Sequence, residues 1–480
     1  MGNKSMTKQA VAVLVILCMC VLAACSGSGT QGTASSPAAT SGAPTGKEET
    51  PASKPAGSSG DPAKVTVWVT NSGETLEFLQ NAAERFNKEQ TNYIVDLSFQ
   101  GSYNDVLTKV RATRKENLPE IFASNGTGVA SIANTDLFTP VQDFIDAESY
   151  DMSDIMVNLK GNYSRNGRWI SIPLGNTVVG FFYNEDMLKQ VGVDPRADFK
   201  SYEEMLGAIE KIAKAGVSKY PYYFNPSTDF IVWSMVSQGL KYVDKDNGKE
   251  GVPTKSLFME DKEVYDAVHA YFTFTKTVFE KGWAVPYDND YGSSREMFAN
   301  NEVAILTGYS SGTSIVGDLS SWKLNFGFRE SPTIQAGKTS LGQAGGGGVL
   351  FISNNGKTEA LQGAWEFLKF LMRTDNSAGF AMASGYLPTT YSGWEQEEYQ
   401  TFVKEKFPSA VYLHEAQSQS SDNVYAAQMP MFADFEKGFI DITRRIATEP
   451  KYTVEQAIQD LTKMTDEAIE LYLLEQSGKK

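Results

Sequence analysis

Residues that carry nucleophilic, redox or metal chemistry are scarce in this chain, whereas groups that stack and hydrogen-bond are plentiful. Its cysteines are Cys18, Cys20 and Cys25, so the body of the protein offers no thiolate nucleophile, thiolate metal site or disulfide. Its two histidines, His269 and His414, stand far apart and read as surface or packing residues rather than a metal site or a Ser-His-Asp triad. The remaining chemistry is recognition. Asn71, Glu74, Tyr103 and Asn125 offer amides, a carboxylate and a phenol at loop positions, and Asp229-Phe230-Ile231-Val232-Trp233 sets an acid and an indole in one short stretch. A ring can lie on the apolar face of a sugar while acids and amides take its rim hydroxyls. Trp283 beside Gly282 reads as packing. With 22 Tyr, 27 Phe and 7 Trp, the chain has rings enough for both a core and such a site. A glycoside hydrolase would need two carboxylates about 5–10 Å apart. The 58 acids do not forbid such a pair, but no local motif announces one.

The elements that must position these groups alternate between strand and helix. Val65–Val69 reads as a buried strand. Leu76, Leu79, Ala83 and Phe86 then recur at helical spacing. Tyr93–Phe99 is a second strand, and a helix follows Tyr103 with Val106, Leu107 and Val110 inward. Ile121-Phe122-Ala123 is a third strand. This order means a parallel sheet with crossovers, whose ligands sit beyond the carboxyl ends of the strands. Those ends are Thr70-Asn71, Gly101-Ser102-Tyr103 and Ser124-Asn125-Gly126, all small and polar apart from one tyrosine.

Lys4 and Lys8 precede an unbroken apolar run, Ala10 to Ala24, which ends in Leu22-Ala23-Ala24-Cys25. A positive start, a short apolar core and small residues at a cut site make an export signal over 1–24. The Leu-Ala-Ala-Cys ending resembles the lipobox of bacterial lipoproteins, which implies a diacylated Cys25 at the mature amino end, anchored by two acyl chains. Residues 25–60 are Ser, Gly, Thr, Ala and Pro almost throughout, the composition of a disordered tether. At ~5–6 Å × √n such a tether reaches roughly 30 Å. Residues from about 61 onward exceed one ordinary domain, so two lobes are expected. The net charge is −15, and removing Lys4 and Lys8 with the signal gives −15 − 2 = −17. That argues against nucleic acid, anionic head groups and polyanions as partners.

The body resembles the extracellular solute-binding proteins of ABC importers, in the carbohydrate-type group that includes maltose-binding-like proteins. The resemblance covers nearly all of residues 62–475. It rests on Glu84-Arg85-Phe86-Asn87, on Ile172-Pro173-Leu174 before Phe182-Tyr183-Asn184-Glu185-Asp186, and on Asn301–Ile305 before Gly308-Tyr309-Ser310-Ser311-Gly312. It continues through Gly345-Gly346-Gly347-Gly348-Val349-Leu350, Ala364-Trp365-Glu366-Phe367-Leu368 and Ser384-Gly385-Tyr386-Leu387-Pro388. Leu118-Pro119-Glu120 departs from the usual Pro-Asp and keeps the acid. The resemblance implies an α/β, two-lobe periplasmic-binding-protein-like fold with hinge crossings and an interlobe cleft. Expected boundaries are 62–174 plus 307–346 for lobe one and 178–304 plus 350–480 for lobe two, with Asn301–Gly312 as a return crossing. The Gly345–Gly348 run lacks the Lys-Ser/Thr of a phosphate loop and leads into a strand.

Several of these stretches are close to glycerol-3-phosphate-binding proteins. By that resemblance Tyr103, Ser310, Gly346 and Tyr386 would contact ligand; by loop position, Asn176 and Thr177 at the first crossing are expected at the cleft, Asn176 as a ligand contact. That family clamps phosphate with an arginine shortly after a Met-Pro pair. Here Met429-Pro430 is followed by Met431-Phe432-Ala433-Asp434-Phe435. A phosphate without a paired cation is poorly held in a closed cleft, so the expected ligand is a neutral sugar or oligosaccharide, with Phe432 or its neighbours apolar where the arginine would be. A ferric-ion binder would use paired tyrosines as oxygen ligands, but Tyr222-Tyr223, flanked by Tyr220-Pro221 and Phe224, read as a buried strand. No cofactor or metal is expected. The expected partners are ABC permease subunits, with the protein a monomer on the outer face of the cytoplasmic membrane.

Overall fold

The computed structural model describes residues 61–478 apart from Asn289. The expected export signal, Cys25 and the tether lie outside the described residues. Two sheets organise the chain. In the first, Tyr93–Phe99, Ala63–Val69, Ile121–Ser124, Val349–Ser353 and Phe138–Thr139 lie side by side in that order. The first three run parallel, as the strand–helix alternation predicts. Helix Gly73–Glu89 buries Leu79, Ala82, Ala83 and Phe86 on one face. Helix Tyr103–Ala112 opens on a capping box in which Ser102 and Asp105 satisfy each other's backbone N–H. The second sheet runs Phe326–Glu330, Val179–Asn184, Val303–Tyr309 and Tyr220–Tyr223.

The sheets overturn part of the expected lobe boundaries. Val303–Tyr309 pairs antiparallel with Val179–Asn184 and stays in the second sheet, as does Phe326–Glu330. Residues 303–330 therefore belong with the second sheet, and Asn301–Gly312 is no return crossing. Val349–Ser353 instead enters the first sheet, antiparallel to Ile121–Ser124, and helix Thr358–Met372 covers that sheet through Trp365, Phe367 and Leu368. Val-Leu-Phe-Ile is buried on both faces. A continuous apolar run announces a central strand but not which of two sheets receives it.

Burial follows the sheets. One core gathers the first sheet and its helices. A second joins helices Tyr202–Ala215, Thr228–Val236 and Lys262–Glu280 to the last two helices, Phe432–Thr448 and Val454–Ser477. A third, around Phe182, Phe328, Tyr399 and Leu413, lies on Val179–Asn184, Phe326–Glu330 and the helices between residues 374 and 418. Glu120, 2 % exposed, ties the far end of the first sheet. It accepts hydrogen bonds from Thr66 N–H (2.7 Å), Asn355 Nδ2 (2.8 Å) and Lys357 Nζ (2.9 Å).

The two sheets are joined by segments that run against one another. Thr177 pairs antiparallel with Gly346, and Asn176 with Leu387. Tyr222 and Tyr223 sit buried in their strand. His269 meets Glu455, and His414 stacks on Trp394 with ring centroids 3.9 Å apart. Among the described residues no group of three or more His, Cys, Asp or Glu could hold a metal ion, and no helix is long and apolar enough to cross a membrane.

Candidate ligand-binding cleft

A cavity of about 240 Å³ opens where the crossing segments meet both lobes. From the first lobe come Tyr103, Asn125, Gly126 and Val129, all just past the carboxyl ends of parallel strands. Asn125 caps helix Gly126–Ile132, its Oδ1 accepting from Gly128 N–H (3.0 Å), which leaves Nδ2 as the donor available to a ligand. Tyr103 is in hydrogen-bonding contact with Thr70 and Tyr386, and burial raises its phenol above the usual tyrosine range. Tyr386 packs beside Phe380 with ring centroids 5.9 Å apart.

The second lobe contributes an acid and an indole one helical turn apart. Asp229 and Trp233 share a face of helix Thr228–Val236, as an i, i+4 pair must. Ser227 caps that helix, accepting from Asp229 N–H (3.2 Å), and its hydroxyl also meets Tyr309 Oη (3.1 Å). Tyr309 in turn donates to Asp229 Oδ2 (2.8 Å). Burial raises the Asp229 carboxyl above its ordinary range, and the Tyr309 hydrogen bond offsets part of that. Phe432 and Gln428 complete this wall.

The crossing segments supply the floor. A side chain at Gly346 would place Cβ 2.2 Å from Trp233 Cη2, so only glycine lets the indole lie against the backbone. Gly347 holds φ +123°, a conformation other residues avoid, and its carbonyl accepts from Tyr163 Oη (3.3 Å).

Of the residues expected to contact ligand, Tyr103, Asn125, Asp229, Trp233, Gly346 and Tyr386 line the cavity, as does Thr177. Asn71, Glu74, Asn176 and Ser310 do not. Glu74 is exposed in the first turn of its helix, and Asn71 lies outside the lining. Asn176 is wholly buried in the hinge. It exchanges two hydrogen bonds with Gln417, giving Nδ2 to Oε1 (3.0 Å) and taking Nε2 at Oδ1 (2.7 Å), and also accepts from Asn158 (3.2 Å). Ser310 is likewise saturated, accepting from Val178 N–H (2.9 Å) and meeting Thr177 Oγ1 (3.1 Å). Both sit where expected in the chain but brace the crossing instead of facing the space. Asn162, Tyr163, Tyr309 and Gln428 were not expected. Tyr309 carries a readable signal, since it ends a strand next to Ser310. The others come from a helix and a loop with no motif. Trp283 stays outside the lining.

Two α/β lobes, joined by paired crossing segments and walling an aromatic, hydrogen-bonding space at their seam, define a hinged receptor for a small molecule. The sequence profile of the bacterial extracellular solute-binding proteins matches residues 81–408, and the chain belongs to that family. It is 25% identical over 357 residues to the sn-glycerol-3-phosphate-binding periplasmic protein UgpB of Escherichia coli K12, covering 72% of this chain and 78% of that one. The fold matches the sugar-binding protein MalE of Xanthomonas citri at a TM-score of 0.69, with 16% identity over 86% of this chain and 100% of that one. It matches UgpB of Mycobacterium tuberculosis in complex with glycerophosphocholine at 0.67, with 18% identity and the same coverage.

Proposed function

We propose that this protein captures a small hydroxyl-rich solute, a single sugar ring or short polyol, outside the cell membrane and delivers it to the permease of an ABC importer. The observation that carries this reading is the seam cavity, where donors and acceptors from both lobes surround aromatic rings. A volume of about 240 Å³ suits one ring better than an oligosaccharide, since pockets for drug-sized ligands run ~300–1,000 Å³. Ligand contacting both lobes favours the closed arrangement, because only differential affinity shifts such an equilibrium. The relatives' glycerophosphate ligands fit less well. The lining holds no Arg, Lys or His among the described residues, and Phe432 borders the space.

Asp229, Trp233, Tyr103, Tyr386, Asn125 and the Gly346 backbone are the proposed ligand contacts. Diacylation of Cys25 would hold the protein on its membrane, and it would work as a monomer. Mass spectrometry of the mature amino end, with Cys25→Ala releasing the protein from cells, tests the anchor. Isothermal titration and thermal shift against mono- and disaccharides, polyols and glycerol 3-phosphate test the capture, because a ligand bound only by the native state raises its melting point. Recovery of the sugar unchanged separates a receptor from a glycoside hydrolase.

A further inference from the structure

The cavity is electrostatically one-sided. Asp229 is the sole charged side chain among its described lining residues. It takes one hydrogen bond, from Tyr309, and has no ion pair among the described residues. Glu436 stands one helical turn after Phe432, close enough to Asp229 for the two charges to repel, and makes no hydrogen bond or ion pair among the described residues. Gln428 lines the same wall and is 5 % exposed. Its Nε2 donates to the Ser164 carbonyl (2.9 Å), while its Oε1 has no partner among the described residues. The cavity wall thus holds one carboxylate with a single donor and no counter-charge, and one amide oxygen with no donor, with a second carboxyl behind them. An acceptor without a donor calls for one from the ligand, and a carboxylate largely withdrawn from water, as Asp229 is, calls for a counter-charge. Trp233, Tyr309 and Phe432 border the same space, and aromatic rings attract cations through their negative faces.

We propose that the captured solute carries a protonated amine, as an amino sugar or amino polyol does, with its ammonium held by Asp229 and the charge of Glu436 behind it, and Gln428 Oε1 accepting a further N–H or O–H. This rests on the reading of the seam as a capture site. Arg295, whose charge is felt by Tyr309 and Tyr386, does not supply the missing cation. It lies 5.9 Å from the Tyr291 ring centroid and outside the cavity lining.

The test is isothermal titration of the purified protein with glucamine and glucosamine, each beside its uncharged counterpart, glucitol and N-acetylglucosamine, and with glucose 6-phosphate. The expected result is that at least one amine binds about tenfold or more tighter than its counterpart, and that Asp229→Asn weakens it about thirtyfold, as loss of a buried charge partner does. Glu436→Gln, which sits outside the lining, weakens it less, and covers the case in which Asp229→Asn fails to fold. Tighter or equal binding of an uncharged counterpart overturns the proposal. So do binding of the phosphate in preference to the amines, amine binding that survives both substitutions, and silence of both amines. If the amines are silent while an uncharged probe binds, the charge assignment falls and the capture site stands. If every probe is silent, both fall.

Discussion

Two polar clusters lie close together at the seam and are built to opposite ends. In the hinge, Asn176 and Gln417 are wholly buried and exchange hydrogen bonds in both directions. At the cavity, Asp229 takes a single side-chain hydrogen bond, from Tyr309, with no ion pair among the described residues, and Gln428 Oε1 has no partner among them. A satisfied buried network fixes one geometry. An unsatisfied one is a standing cost that a ligand can remove. The difference separates residues that position the site from residues that meet the solute, even though both kinds are polar.

The largest break in this comparison is Asn176→Leu. It strands the amides of Gln417 and Asn158, and should cost about 3 kcal/mol in urea unfolding, given ~1–3 kcal/mol for each buried group left unpaired. Affinity of the folded fraction should hold within a few-fold. Gly346→Ala acts on both sides. Its Cβ meets Trp233 at 2.2 Å, so the indole must move into the cavity, costing ~1–3 kcal/mol of stability and about tenfold or more in affinity by titration. Tyr309→Phe removes one hydrogen bond to Asp229 and should weaken binding by about fivefold, the equivalent of ~1 kcal/mol.

The smallest effect is on pH. Burial and the Asp229 charge push the Glu436 carboxyl from 4.5 up to about 7. A folded value above the unfolded one means the native state holds more protons in that window, so stability falls as pH rises from about 4.5 to about 7 and levels above it. Melting curves of Glu436→Gln should lack that part of the slope, and an unchanged profile would remove Glu436 from the account.

The first sheet was legible because its strands and helices carry clean periodicity, from Val65–Val69 through Ile121. The lobe boundaries were not. Val349–Ile352 is apolar at every position, and such a strand pairs wherever a gap between strands exists, here beside Ile121–Ser124. The cavity was half legible. Tyr103 and Asn125 follow from the rule that ligands gather beyond strand ends, and Asp229 with Trp233 from their shared chemistry. Asn176 and Ser310 show the limit of that reasoning. Sequence tells that a polar residue lies at a crossing, but whether it faces solute or a buried amide depends on Gln417, which is 241 positions from Asn176 along the chain. Gln428 and Glu436 were invisible for the same reason, since their place depends on the last helices folding back over the second lobe.

The most direct measurement is thermal melting of the wild type, Asp229→Asn and Asn176→Leu, each with and without glucose, glucitol, glucamine, glucosamine, N-acetylglucosamine and glucose 6-phosphate. The account predicts that a probe raises the wild-type melting point. Asp229→Asn, relieved of a carboxylate that burial disfavours, should melt at or above the wild type alone and gain nothing from that probe. Asn176→Leu should melt lower yet keep the gain. An Asp229→Asn protein that responds like the wild type, or an Asn176→Leu protein that loses the response while melting normally, would contradict it.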